Sequence, residues 1–70
     1  MMFNVSFVSE KGSWIASAML HFLPRIGEEV NLAGDHVVVV NVIYDIRRGT
    51  YSGQDVNIIV RYKQERSKGK

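Results

Sequence analysis

The chain has 70 residues, of which 46% are hydrophobic, with one proline and no cysteine. These values describe one small domain, and they exclude disulfide bonds and zinc sites built on thiolates. In a chain of this length, apolar burial barely exceeds the cost of ordering the residues, so extra burial at a subunit interface would add heavily to stability.

The positive charge is concentrated at the C-terminus. The net charge is +2 and the sequence pI is about 9.2. Residues 61–70 have a net charge of +4, so the first 60 residues have a net charge of −2. Residues 64–70 contain no apolar side chain, and we expect them to form a basic, disordered tail after a single β domain of residues 1–63.

Hydropathy gives no sign of a membrane segment. No apolar stretch reaches the roughly 18 to 20 residues that cross a bilayer as a helix, and the first residues lack the charged opening of a signal peptide. We therefore expect a cytoplasmic protein with no membrane partner.

The β-branched residues Val and Ile are abundant, which favours an all-β fold. Residues 2–8 alternate apolar and polar side chains and predict the first strand. A turn suited to a hairpin follows at residues 9–12, with Gly12 in its last position.

Residues 14–23 fit two patterns. Their apolar side chains alternate as in a strand, while Ile15, Met19 and Phe22 also have helical spacing. We favour a strand paired with the first, because a hairpin turn precedes it and Pro24 disfavours a helical Leu23. The alternative is an α+β fold in which this segment is helical and packs against an antiparallel sheet.

The second half of the chain predicts three further strands. Pro24 and Gly27 indicate a tight turn before an extended segment that ends at Leu32, and residues 33–35 form another turn. Residues 37–46 are apolar on both faces, which indicates a bulged and bent strand or a strand at an interface. After a polar loop at 47–53, alternation from Asp55 predicts a last strand that pairs with the long one.

Five short strands separated by turns suggest a small barrel or sandwich. The run Leu23-Pro24-Arg25-Ile26-Gly27-Glu28-Glu29-Val30, with residues 37–45 and the alternating last strand, resembles the element that opens the middle strands of small SH3-like barrels. It also resembles a group of very short bacterial and phage-encoded proteins of unassigned function. The resemblance implies an SH3-like barrel of about five strands and an accessory or inhibitory protein of a phage or mobile element.

Residues that could carry chemistry are sparse. His21 and His36 are the two histidines, and they have no cysteine to complete a metal site. Adjacent Glu28 and Glu29 project to opposite sides of an extended segment, which suits a solvated turn better than a paired acid and base. Since no nucleophile or phosphate-binding motif is present, we expect no enzyme activity, no cofactor and no metal.

The sequence contains more apolar side chains than one face of a small sheet can bury. Apolar residues that do not follow the main alternation predict a protein interface. The predicted interface residues are Val37, Val39, Ile43 and Ile59, and Ile15 and Met19 also depart from the alternation. We therefore expect a non-catalytic protein-interaction module that forms a homodimer or docks onto a larger protein. The open alternative is a curved barrel whose bulges turn both faces inward.

The second function hypothesis is a nucleic-acid-binding barrel. Basic and aromatic side chains around the last hairpin could hold phosphates and stack bases, together with the basic tail. The candidate residues are Arg47, Arg48, Tyr51, Arg61 and Lys63. The negative net charge of the first 60 residues argues against this function, because non-specific nucleic-acid binding depends on positive charge.

Overall fold

The computed structural model describes residues 2–45 and 55–63. These residues form five strands and no helix: β1 (Phe3–Ser9), β2 (Trp14–Leu20), β3 (Glu29–Leu32), β4 (Asp35–Asp45) and β5 (Asp55–Tyr62). The strands make one sheet that curls into a half-barrel, which confirms the all-β prediction and is consistent with a small SH3-like barrel. Nothing in the described ranges is a helix that could cross a membrane. The predicted polar loop and basic tail lie outside these ranges.

Two hairpins are joined through a central strand. β1 pairs antiparallel with β2, and β3 pairs antiparallel with β4. β5 lies between the hairpins, parallel to β1 and antiparallel to β4, giving the order β2-β1-β5-β4-β3. The strand prediction for the segment after the first turn is thus confirmed over residues 14–20, and so is the pairing of the last strand with the long one.

The core lies on the inner face of the curled sheet. Its fully buried side chains come from the three central strands, at alternate positions: Val5, Phe7, Val37, Val39, Val56, Ile58 and Val60. Half-buried residues from β2, β3 and the segment between them pack around this cluster, among them Ile15, Leu20, Leu23 and Val30. Alternate burial in β1 and β5 follows the period of two that the sequence predicts.

A β-bulge in β4 explains why this strand is apolar on both faces. Val39 pairs with Val60 and Asn41 pairs with Ile59, so Val40 is an extra residue in the ladder. An extra residue reverses the side-chain alternation beyond it. The interpretation of this segment as a bulged strand is therefore confirmed. The side chains that point inward are at odd-numbered positions before Val40 and at even-numbered positions after it.

The segment before β3 extends the pairing with β4 beyond the strand itself. The Gly27 N–H donates to the Val39 carbonyl at 2.8 Å, and the Val39 N–H donates to the Glu28 carbonyl at 2.9 Å. Gly27 has a φ of 95°, which glycine adopts without strain. The Glu28 carboxylate accepts the Arg25 N–H at 2.7 Å and closes the predicted turn.

The turn between β3 and β4 has two residues, Ala33 and Gly34, with φ values of 52° and 97°. Positive φ at both positions is typical of a type I′ hairpin turn, whose preferred first residue is Asn. The Asn31 side chain accepts the Gly34 N–H at 2.9 Å and helps to close the turn. Ala33 is thus the strained residue of this hairpin.

We predict that Ala33→Asn stabilises the protein by about 0.5–1 kcal/mol, because Asn tolerates the left-handed conformation better than Ala does. Chemical denaturation measures the change. Ala33→Val, which disfavours this conformation further, is the matched control and should be destabilising. Equal stability of the two variants would contradict the assigned turn.

We predict that Ile58→Val lowers the free energy of unfolding by about 1 kcal/mol, because Ile58 is fully buried and loses one methylene from a packed core. The same substitution at Ile43, which is 44% exposed, should change stability by a few tenths of that value. Urea denaturation of both variants compares them. A larger loss at Ile43 than at Ile58 would contradict the assignment of the inner face.

Candidate interaction surface

Side chains that point away from the core form the outer face of the sheet. Across three neighbouring strands of this face, Trp14 pairs with Val8 and Val8 pairs with Ile59. Ile43 lies on the same face, because its register partner Asn57 alternates with core residues of β5. We call Val8, Trp14, Ile43 and Ile59 the outer apolar patch.

The outer apolar patch is accessible and partly preorganised. Trp14 is 64% exposed and Ile43 is 44% exposed, while Val8 and Ile59 are half-buried between them. The Trp14 indole Nε1 donates to the Ser17 hydroxyl at 3.1 Å. A ring held in place in this way loses little conformational entropy when a partner covers it.

The interface predicted from the sequence is partly wrong. Val37 and Val39 are core residues, with 0% and 1% exposure, and they cannot contact a partner in the folded chain. The sequence prediction placed them on the minority face because it continued one alternation along the whole strand. The bulge at Val40 divides that alternation, so Val37 and Val39 point inward together with Val42, which lies beyond the bulge.

The other two predicted interface residues, Ile43 and Ile59, lie on the outer face. Sequence reasoning did not include their neighbours Val8 and Trp14. Val8 could have been found, since it is out of phase with Phe3, Val5 and Phe7 of the same strand. Trp14 could not, because a second irregularity in the ladder, between Phe7 and Val8, determines its position.

Two residues predicted to bind nucleic acid form ion pairs with carboxylates. The Arg61 Nε lies 3.1 Å from the Glu10 Oε2, and the Lys63 Nζ lies 2.7 Å from the Glu29 Oε2. The hydrogen bond and charge of Glu10 raise the pKa of Arg61 above its usual value. These pairs reduce the positive potential that either cation offers to a phosphate.

The rest of the predicted nucleic-acid site, Arg47, Arg48 and Tyr51, lies outside the described residues. The described ends of β4 and β5 next to it carry carboxylates, since Asp45 and Asp55 are register partners. Two acidic residues at this position lower the local potential and disfavour an approaching phosphate backbone.

An open groove of about 670 Å³ lies between the β1–β2 turn and the end of β5. Apolar, aromatic, cationic and anionic residues line it together, including Ile15, Tyr62, Arg61, Glu10 and Asp35. Since Arg61 and Glu10 neutralise each other, the groove presents no strong charge of either sign.

The histidines predicted to be ordinary surface or core residues, His21 and His36, are both exposed. Within residues 2–45 and 55–63, no group of three or more His, Asp or Glu side chains could hold a metal ion.

Comparisons of the chain with models of known protein families, with curated protein sequences and with solved structures give no match. Structural arguments about its function therefore rest on its own residues.

The ion pair at Lys63 predicts a measurable pH effect. A hydrogen bond from Lys63, with its charge, lowers the pKa of Glu29 below the usual value. The pair therefore stabilises the fold above the pKa of Glu29 in the unfolded chain, and the stabilisation is lost as the pH falls through the lowered pKa. Since both groups are exposed, we expect the effect on stability to be small.

A carboxyl NMR titration of Glu29 tests this prediction. In the Lys63→Met variant the pKa of Glu29 should rise towards its ordinary value, while Lys11→Met, a control on the opposite hairpin, should leave it unchanged. An identical Glu29 pKa in the wild-type protein and in Lys63→Met would contradict the assigned pair.

Proposed function

We propose that the protein is a non-catalytic protein-interaction module that binds a partner protein through the outer apolar patch. The observation that carries this proposal is the row Trp14, Val8 and Ile59, which continues over three neighbouring strands opposite the core. In small soluble proteins, exposed apolar patches of neighbouring residues generally mark interaction surfaces. Trp is also among the residues that contribute most to binding energy at such surfaces.

The surroundings of the patch support a protein partner. Uncharged polar residues of the same face border it on one side, namely Ser6, Ser17, Asn41 and Asn57, and the Arg61–Glu10 ion pair lies beyond Ile59 and Val8. An apolar centre with a polar rim is the usual arrangement of a protein–protein interface. The partner surface should therefore be apolar at its centre and polar at its edge.

The sequence resemblance to short bacterial and phage-encoded proteins supports the biological part of this proposal. We include in it an accessory or inhibitory role for a phage or mobile element in the cytoplasm. A small module without catalytic groups would perform such a role by occupying a surface of a larger protein.

The nucleic-acid alternative has weaker support. Of its proposed residues, the two that the structure describes, Arg61 and Lys63, form ion pairs with carboxylates. No observation on the described residues favours nucleic-acid binding over a protein partner. The crosslinking experiment below distinguishes the two functions.

The proposal predicts that a photocrosslinking amino acid at position 43 captures a discrete protein partner in cells of the native host. Ile43 is suitable because it is exposed and lies at the rim of the patch. The same amino acid at position 28, on the exposed turn before β3, is the matched control and should give no discrete product. Combining the position-43 crosslinker with Trp14→Ser should reduce the yield about tenfold, because the variant loses a large aromatic contact.

Digestion of the product distinguishes the two functions. A product that protease removes and nuclease leaves intact supports the proposal. A product that nuclease removes indicates the nucleic-acid function instead. Equal yields at positions 43 and 28, or no effect of Trp14→Ser, would contradict the assignment of the outer apolar patch as the binding surface.

A further inference from the structure

The two outer strands of the sheet differ in how they protect their free edges. Within the described residues, β2 pairs only with β1 and β3 pairs only with β4, so each has one edge without a strand partner. Free edges can pair with strands of other chains, and proteins usually block them with short strands, charges or proline. The two edges differ in how many of these protections they have.

The β3 edge has several of these protections. The strand has only four residues and begins with the charged Glu29, which pairs with Lys63. Glu28 directly precedes it in the chain. A further strand would have to bury carboxylates along this edge, so β3 is a poor site for strand addition.

The β2 edge has fewer protections, of which the one present is a bulge at Ile15 near the start of the strand. The strand has seven residues, Trp-Ile-Ala-Ser-Ala-Met-Leu, without charge, proline or glycine. Small side chains at its centre, Ala16, Ser17 and Ala18, would let another strand approach without steric conflict. Met19 is 56% exposed, and Phe22, just after the strand, is 86% exposed.

The centre of the β2 sequence is complementary to itself. If a second copy pairs antiparallel with Ser17 opposite its own counterpart, Ala16 lies opposite Ala18. Beyond this centre the side chains do not face each other, because Ile15 is an extra residue in the ladder with β1: Ile15 and Leu20 pack against the core, whereas Trp14 and Met19 are exposed. The central pairs consist of alanines or of two hydroxyls, and no residue of the strand carries a charge. Opposed residues of like character stabilise antiparallel strands, whereas like charges destabilise them.

We propose that two copies of this chain pair through their β2 edges, antiparallel and with Ser17 at the twofold axis, to form a continuous ten-stranded sheet. This proposal concerns an edge of the sheet and is independent of binding at the outer apolar patch. The pairing also places the two patches on one shared face, since a twofold axis perpendicular to the sheet keeps the outer faces of both copies on the same side.

The contact should be concentration-dependent. Stable interfaces bury roughly 1,200–2,000 Å², and a seven-residue edge with small central side chains buries less than that. A weak dimer of this type would assemble at high local concentration, and binding of each outer apolar patch to an oligomeric partner would strengthen it.

Charge reversal at the axis tests the proposed register. Ser17 is exposed, so Ser17→Lys and Ser17→Asp should both fold, which circular dichroism checks. Each variant alone would place two like charges opposite each other, and its dissociation constant in sedimentation velocity should rise at least about tenfold. An equimolar mixture of the two variants should restore dimers, because Lys and Asp then lie opposite each other.

Substitutions at other positions complete the test. Asn31→Asp, a charge added to the other free edge, should leave dimerisation unchanged. Ile43→Lys should also leave it unchanged, although this variant should impair binding of a different protein at the outer apolar patch. A wild-type protein that stays monomeric at millimolar concentration would overturn the proposal. So would dimers that persist in Ser17→Lys, or dimers that are lost in Ile43→Lys.

Discussion

The pairing of β5 with both hairpins is the interaction on which the whole structure depends. The β1–β2 and β3–β4 hairpins have no strand pairing with each other within the described residues, and β5 joins them by a parallel ladder on one side and an antiparallel ladder on the other. Its residues Val56, Ile58 and Val60 are buried at the centre of the core. Because a single layer of strands has one inner face, the same arrangement leaves the outer face uncovered and, within the described residues, one edge each of β2 and β3 without a strand partner.

The alternation of apolar and polar side chains was sufficient to predict β1 and β5. Each of these strands has one buried face, and its core residues occupy every second position without interruption. Turn chemistry was sufficient to assign β2 as a strand although its composition also fits a helix. The bulge in β4 could not be located from the sequence, because residues 37–40 are four consecutive valines and a uniform run contains no information about phase. The parallel pairing of β1 with β5 is a long-range contact that local patterns do not encode.

The sequence predicted that some apolar side chains form an exposed surface, but it identified only part of the residues in that surface. An excess of apolar residues correctly indicated that some would lie outside the core, and Ile43 and Ile59 do so. Val37 and Val39 were misplaced by the same bulge that the valine run conceals. Which strands lie at the edges of the sheet depends on strand order, which a sequence pattern alone does not give. The sequence therefore could not show that the uncharged β2 lies at one edge and the acidic β3 at the other. Positive charge contributes little to the described surface, because the described residues carry four cationic and six anionic side chains, and Arg61 and Lys63 are paired with carboxylates.

Amide hydrogen exchange measured at low and high protein concentration tests the account most directly, because it reports on every strand of the sheet at once. If β5 joins the two hairpins and β2 is the less protected edge, the β5 amides should exchange slowest at all concentrations. The amides of β2 that face away from β1 should become protected as the concentration rises, while those of the β3 edge should not. Fast exchange in β5, or added protection at β3 in place of β2, would contradict it.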